Sequence, residues 1–252
     1  MPPMPVAARR RRVIRWRRLR CSHRLSKTLR DISHALAHDL RTSLRHISSY
    51  AQLIEDAAQS DAPEPLSRLS HKVLESTRQL QRLLDSLAQL ARLQPAGLQR
   101  EEVDTTSLLR QLIRELDEGP AGKGSRVACV LAPDLPVVSG DPHWLRTVWQ
   151  ALLDNAWRHA RGHAQPRVEV WSESVPGGQA FFVRDNGAGF APDRAGELFG
   201  LFRHDRSTQL PDTGVGLALV RRVVECHGGR VWASARPGEG ACFGFSLPAA
   251  GR

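Results

Sequence analysis

Two long apolar stripes separated by a proline turn constrain this chain more than any other feature. Leu25, Leu29, Ile32, Leu36, Leu40, Leu44, Ile47, Ala51 and Ile54 recur every three or four residues. That is the period of one face of an α-helix. The stripe stops at Ser60-Asp61-Ala62-Pro63-Glu64-Pro65, where two prolines and helix-capping side chains favour a turn. Leu66, Leu69, Val73, Leu80, Leu83, Leu87 and Leu90 then fall close to a heptad. The spacing predicts a helix over 22–57 and a second one after the turn, paired as an antiparallel hairpin. One hairpin leaves part of both stripes in water. Two copies close a four-helix bundle, so a homodimer is expected.

His38 sits inside the first stripe's helix, roughly opposite Leu36 and Leu40, with Asp39 beside it. An exposed imidazole next to a carboxylate can act as a nucleophile, because the acid takes or orients the proton on one ring nitrogen while the other attacks. The chain has ten histidines, so His38 alone reads as a solvated side chain, and the rest of the sequence must decide. His34 and His38 are four apart, but no third metal ligand accompanies them.

The net charge of +10 suggests a nucleic-acid partner until it is located. Residues 1–20 hold eight arginines and no acid, which leaves about +2 for the remainder. The body is nearly balanced, so no nucleic-acid partner is expected. The tail is expected to be a disordered basic extension, with weak contact to an anionic membrane surface through a basic amphipathic helix as the alternative. It lacks the apolar centre of a signal peptide, and no apolar run approaches the ~20 residues that span a bilayer. Cys21, Cys129, Cys226 and Cys242 show neither CxxC nor zinc spacing, and read as reduced thiols in a cytoplasmic protein.

After Gln94-Pro95-Ala96-Gly97 the signals alternate between helix and strand. Asp104-Thr105-Thr106 caps a helix to about 116, and Asp141-Pro142 opens another to about 160. Strands are expected over 127–131, 167–172, 180–183, 231–235 and 242–247. A helix is expected over 217–226, closed by Gly228. The domain plan is a basic tail (1–20), a helical hairpin (21–94), a linker (95–103) and an α/β sandwich (104–252). The whole is an α+β chain.

Three glycine-bearing segments follow in order. Asp185-Asn186-Gly187-Ala188-Gly189-Phe190 comes directly after a strand, with glycines that let backbone approach a flat ligand. Asp185 is a carboxylate able to accept from an exocyclic amine such as that of adenine. Asp212-Thr213-Gly214-Val215-Gly216-Leu217 precedes a helix, where backbone amides suit phosphate oxygens. Pro237-Gly238-Glu239-Gly240 reads by itself as a hairpin turn. Upstream, Asn155 lies about 80° from the centre of the stripe Leu145, Val148, Trp149, Leu152 and Ala156, at the edge where a pocket would open. Its amide oxygen suits Mg²⁺ beside phosphates. Gly122-Lys123 is not a P-loop, and the glycines miss the GxGxxG of Ser/Thr kinases.

Together these segments resemble the ATP-binding domain of sensor histidine kinases, a superfamily shared with gyrase and mismatch-repair ATPases. The resemblance includes the box around Asn155, the Asp185–Gly189 box, Leu198-Phe199-Gly200-Leu201-Phe202-Arg203, Gly214-Val215-Gly216-Leu217 and Gly238-Glu239-Gly240. His38-Asp39-Leu40-Arg41-Thr42 then resembles the family's phosphoacceptor box, with wording closest to phytochrome-type and soluble sensor kinases.

The resemblance implies ATP and Mg²⁺ as cofactors and a separate response-regulator receiver domain as partner. Asn155 would hold Mg²⁺. Arg158, where the family usually has Lys, and His159 would reach phosphates. Asp185 would read adenine, with Gly187 and Gly189 shaping its pocket. Phe202 would belong to the nucleotide site, residues 203–213 would form a lid, and Gly214, Gly216 and Leu217 would flank the triphosphate. His38 would take the γ-phosphoryl group with Asp39 as acid/base, and Thr42 would place water for dephosphorylating the partner. Ser43 stands where the family has Pro, and Asp212 replaces a glycine and adds negative charge near phosphates. Ala151 stands where hydrolytic relatives carry a Glu base, which favours transfer over hydrolysis. The expected activity is that of an ATP-dependent protein histidine kinase. Ser43 and Asp212 motivate the alternative, a non-catalytic dimeric scaffold that binds a regulator or ATP.

Overall fold

The structure, a computed structural model, describes residues 40–42, 44–57, 66–119, 127–200 and 214–249. His38, Asp39, Ser43, Phe202 and Asp212 lie outside the described residues, as do the basic tail, the turn at 60–65 and the whole of the expected lid. The chain divides into two compact units, Met1–Leu80 and Gln81–Arg252. That boundary falls inside the second long helix, whereas the sequence places it at 94.

In the first unit, residues 40–42 and 44–57 are helical (α1). The second helix, α2 (Leu66–Arg92), starts in this unit and ends in the other. Leu69 is buried, and Lys72 Nζ lies 5.7 Å from the ring centre of Tyr50. Leu44, Leu53, Leu66 and Leu74 remain exposed, between 39% and 52%. Leu44 and Leu66 belong to the stripes that one hairpin is expected to leave uncovered, and Leu53 and Leu74 lie beside them in sequence.

The second unit holds the sheet. Strand β1 (Glu101–Asp104) pairs antiparallel with β3 (Val137–Gly140) as a two-stranded ribbon. Neither strand is expected from the sequence, and β1 occupies positions assigned to the linker. Its alternation is weak: three of its four residues are acidic and only Val103 is buried. The main sheet has the order β2-β4-β5-β7-β6, with β2 (Ala128–Leu131), β4 (Arg167–Val175), β5 (Gly178–Asp185), β6 (Arg230–Ala235) and β7 (Ala241–Pro248). β2 runs parallel to β4, and all the other pairs are antiparallel.

Helices α4 (Pro142–Ala160) and α5 (Gly216–Cys226) pack on one face of this sheet, and α3 (Thr105–Glu118) packs on α4. Trp149 of α4 meets Phe181 and Phe245 edge-on at 5.4 and 5.0 Å between ring centres. Edge-to-face rings at this separation add ~0.5–1.5 kcal/mol beyond area burial. The cluster fixes α4 over β5 and β7, and so fixes the direction in which α4's other face points. Across the opposite sheet face, Trp171, Phe182, Gly244 and Trp232 stand in register on four strands. A Cβ on Gly244 would lie 2.4 Å from the Trp232 indole, so the missing side chain lets Trp232 lie flat against the sheet.

Candidate functional site

The start of α4 is held by a small network. Asp141 is the N-cap: its Oδ1 accepts from the backbone N–H of His143 and Trp144 at 3.1 and 3.2 Å, and its Oδ2 accepts from Gln99 at 2.9 Å. The Asp141 backbone N–H donates to His227 Nε2 at 3.0 Å, and His227 Nδ1 lies 2.8 Å from the Val223 carbonyl. The first bond requires a lone pair on Nε2, so the proton sits on Nδ1 and is donated to Val223. His227 is a neutral tie between the end of α5 and the start of α4, and burial lowers its pKa. The His227-Gly228-Gly229 motif is visible in the sequence, but nothing in it discloses this role.

With α4 so placed, Thr147, Gln150, Ala151, Asp154, Asn155 and Arg158 form one helical stripe along a cavity of about 410 Å³. Gly216 and Leu217, at the first turn of α5, line the same cavity. The N-cap of α5 is Val215, with no side-chain cap. The first amides of α5 are therefore available to an anion. A Cβ on Gly216 would meet nothing within 4 Å, so the backbone here is open to a ligand. Asn155 is 8% exposed, and its Nδ2 has no hydrogen-bond partner. A buried unpaired amide costs ~1–3 kcal/mol, and rotation about its last bond offers either an oxygen to a cation or an N–H to a phosphate. Burial pushes the Asp154 carboxyl up, and Arg158 and Arg82 draw it back down.

Asp185 ends β5 and is 2% exposed. Its Oδ1 accepts from the Gly187 backbone N–H at 2.9 Å, while Oδ2 has no partner. Burial pushes the carboxyl up to about 6, against the pull of the Gly187 N–H. Asn186 clamps the turn: its Oδ1 accepts from Arg167 N–H at 2.9 Å and its Nδ2 donates to Gln165 O at 2.7 Å.

The glycines of this turn serve the protein itself. A Cβ on Gly187 would lie 2.4 Å from the His159 carbonyl oxygen, and one on Gly189, which has φ +65°, 2.1 Å from that of Arg236. Their bare backbone faces neighbouring chain, where the sequence suggests a flat ligand.

The cavity gathers Asn155, Arg158, Gly216 and Leu217 from the expected residues. Asp185, Gly187, Gly189, His159 and Gly214 do not line it. Gly187 abuts the last turn of α4 at His159, which places the Asp185 turn beside the same helix. Gly214 has φ +63°, which a glycine adopts without strain. Thr42 lies in α1, in the first unit. Sequence reasoning does not anticipate that Arg82, Asp85, Ser86 and Gln89 form the other wall. They recur at i, i+3, i+4 and i+7 on α2, a polar stripe that reads as a solvated face.

Residues 28–96 match the family described as the His Kinase A (phospho-acceptor) domain, and residues 140–251 match the histidine kinase-, DNA gyrase B- and HSP90-like ATPase. The chain carries the phosphoacceptor and ATPase domains of the sensor histidine kinases. Cyanobacterial phytochrome A of Nostoc sp. is 27% identical over 231 residues, which span 91% of this chain and 30% of the phytochrome. The chain therefore corresponds to a third or less of that relative's length. The crystal structure of ShkA in complex with AMPPNP is 27% identical, covers 86% of this chain and 46% of ShkA, and has a TM-score of 0.58. The histidine kinase ThkA, crystallised with the response regulator protein TrrA, gives a TM-score of 0.72 at 19% identity, over 91% of this chain and 64% of ThkA. That second likeness is one of fold. Among the described residues, no helix is long and apolar enough to cross a membrane.

Proposed function

We infer that this sensor-kinase core is an active protein histidine kinase. It transfers the γ-phosphoryl group of ATP to His38 and then to an aspartate of a separate response regulator. The observation that supports this most is that two of the buried, partnerless polar atoms, Asn155 Nδ2 and Asp185 Oδ2, fall in the nucleotide-type motifs. A buried polar atom left unpaired calls for an explanation, and a ligand supplies one at these two. One lies beside the open N-terminus of α5, suited to phosphate, and the other is a carboxylate oxygen suited to an exocyclic amine. AMPPNP in ShkA and TrrA on ThkA are the matching ligand and partner of the two relatives.

In the proposed reaction Asp185 fixes adenine, and the α5 amides with Arg158 hold the phosphates. Mg²⁺, held by Asn155, would supply neutralisation of phosphate charge. A ring nitrogen of His38 attacks the γ-phosphorus, the bond to the β,γ-bridging oxygen breaks, and Asp39 takes the imidazole proton. The P–N bond then breaks as an aspartate oxygen of the regulator attacks. Catalysis of such a loose transition state is mostly positioning and charge neutralisation. Thr42 would place water when the regulator is dephosphorylated. The exposed leucines of both helices support a homodimer. Use of ATP and of a receiver domain supports a cytoplasmic location for this work.

The test is incubation of the chain with γ-labelled ATP and Mg²⁺. Acid-labile, base-stable label that disappears in His38→Gln is expected. ATP binding without label would favour the scaffold alternative.

A further inference from the structure

The heptad of α2 assigns it to the hairpin, yet its residues from Gln81 to Arg92 belong to the second unit. Arg82, Asp85, Ser86 and Gln89 line the same cavity as Asp154, Asn155, Arg158 and the first turn of α5, all within the second unit. The adenine acceptor Asp185 lies outside this lining, so the cavity takes the phosphate end of a nucleotide. Its α2 wall is the one farthest along the chain from every nucleotide motif. Arg158 and Arg82, from different helices, line this cavity together, and both draw the Asp154 carboxyl pKa down electrostatically. Two guanidiniums lining one cavity suit a doubly charged phosphoryl group with three acceptor oxygens. Asn155 Nδ2, buried and partnerless in the same cavity, is an independent sign that a ligand completes the site.

We propose that Arg82 is a γ-phosphate-binding residue, contributed by α2, that lets the site tell ATP from ADP. This rests on the nucleotide-site reading above. Arg82 is exposed and packs into no core, so its substitution should leave the fold intact.

The test measures ATP and ADP affinity calorimetrically on the full chain, for wild type, Arg82→Ala, Arg82→Lys and Arg92→Ala. Arg92 ends the same helix but does not line the cavity. Arg82→Ala should weaken ATP about tenfold, about 1.4 kcal/mol, and leave ADP within about twofold. Arg82→Lys should recover part of the loss, and Arg92→Ala should behave as wild type. Equal loss of ATP and ADP, no loss of either, or the same loss in Arg92→Ala would overturn the proposal. A wild-type chain that binds neither nucleotide would instead overturn the nucleotide-site reading beneath it. Melting temperatures of the variants within about 2 °C of wild type exclude unfolding as the cause.

Discussion

Asp185→Asn separates the chemistry of the proposed adenine acceptor from its cost to the fold. Raising a carboxyl from 3.8 to about 6 means that burial disfavours its charged form by about 3 kcal/mol at pH 7. Asparagine removes that charge at nearly constant volume. Its amide must turn its oxygen toward the Gly187 N–H, which now bonds Oδ1 of Asp185. The NH₂ group then occupies the place of Oδ2 and presents a donor to the donor amine of adenine. Nucleotide affinity should therefore collapse while the ligand-free protein becomes more stable. The gain stays below 3 kcal/mol, because the neutral acceptor holds Gly187 less strongly. The sign has a pH signature. The folded-state pKa lies above the unfolded value, so the wild type binds more protons folded than unfolded between pH 3.8 and 6. Its stability at this site therefore falls as pH rises through that window. Denaturant titrations should show Asp185→Asn ahead at pH 8 and level with wild type near pH 4. Unchanged calorimetric affinity for ATP would refute the adenine assignment. A stability difference independent of pH would refute the burial of a charged carboxylate.

His227→Phe keeps the ring but orphans the Asp141 N–H, at a cost of about 1–3 kcal/mol by denaturant unfolding at pH 7.5. The His227 pKa is lowered by burial, so the wild type should lose this advantage as pH falls below about 6.5, and the two proteins should converge. Thr42→Ala should spare autophosphorylation and slow dephosphorylation of the regulator, read by loss of label from the phosphorylated receiver. His38→Gln and Asn155→Ala homodimers should each be inactive. In mixed heterodimers, label confined to the Asn155→Ala chain would show transfer across the dimer, and label on His38→Gln would exclude His38 as acceptor.

What was legible in the sequence was whatever is written in local periodicity or capping. Asp141-Pro142 opens α4, and the helix runs to Ala160, because an N-cap carboxylate and a proline at the first turn leave few alternatives. The short ribbon β1–β3 escaped, since acidic Glu101, Glu102 and Asp104 and the 59%-exposed Val137 give no alternating pattern. Asn155, Arg158, Gly216 and Leu217 stand out in the sequence because their motifs are local, and the fold places them along one cavity. The α2 wall was not found, because a polar stripe on a long helix looks the same whether it faces water or a site. The glycines of the Asp185 box were detected for a reason that the packing revises. At Gly187 and Gly189 the crowding partners are the carbonyls of His159 and Arg236, distant in sequence and brought close only by the fold.

Two of the buried unpaired atoms bear on ligand binding as well as on stability. Asp185 Oδ2 and Asn155 Nδ2 each lower the stability of the ligand-free fold, by an amount comparable to the ~1–3 kcal/mol of a lost buried hydrogen bond. A ligand that satisfies both regains that free energy only on binding the folded state. Nucleotide at a hundred times its Kd adds about 2.7 kcal/mol to stability by mass action. A chain repaired at either atom would be firmer when empty and would gain less from nucleotide. Residues that break a local rule of burial, with no compensation inside the protein, are where function is expected to reside. Asp185 and Asn155, like Thr105, Trp157 and Arg161, each have an unpartnered buried atom and are singled out by lying in the nucleotide-type motifs, whereas Asp141 and His227, equally buried, are partnered with each other and serve the frame that holds α4 in place.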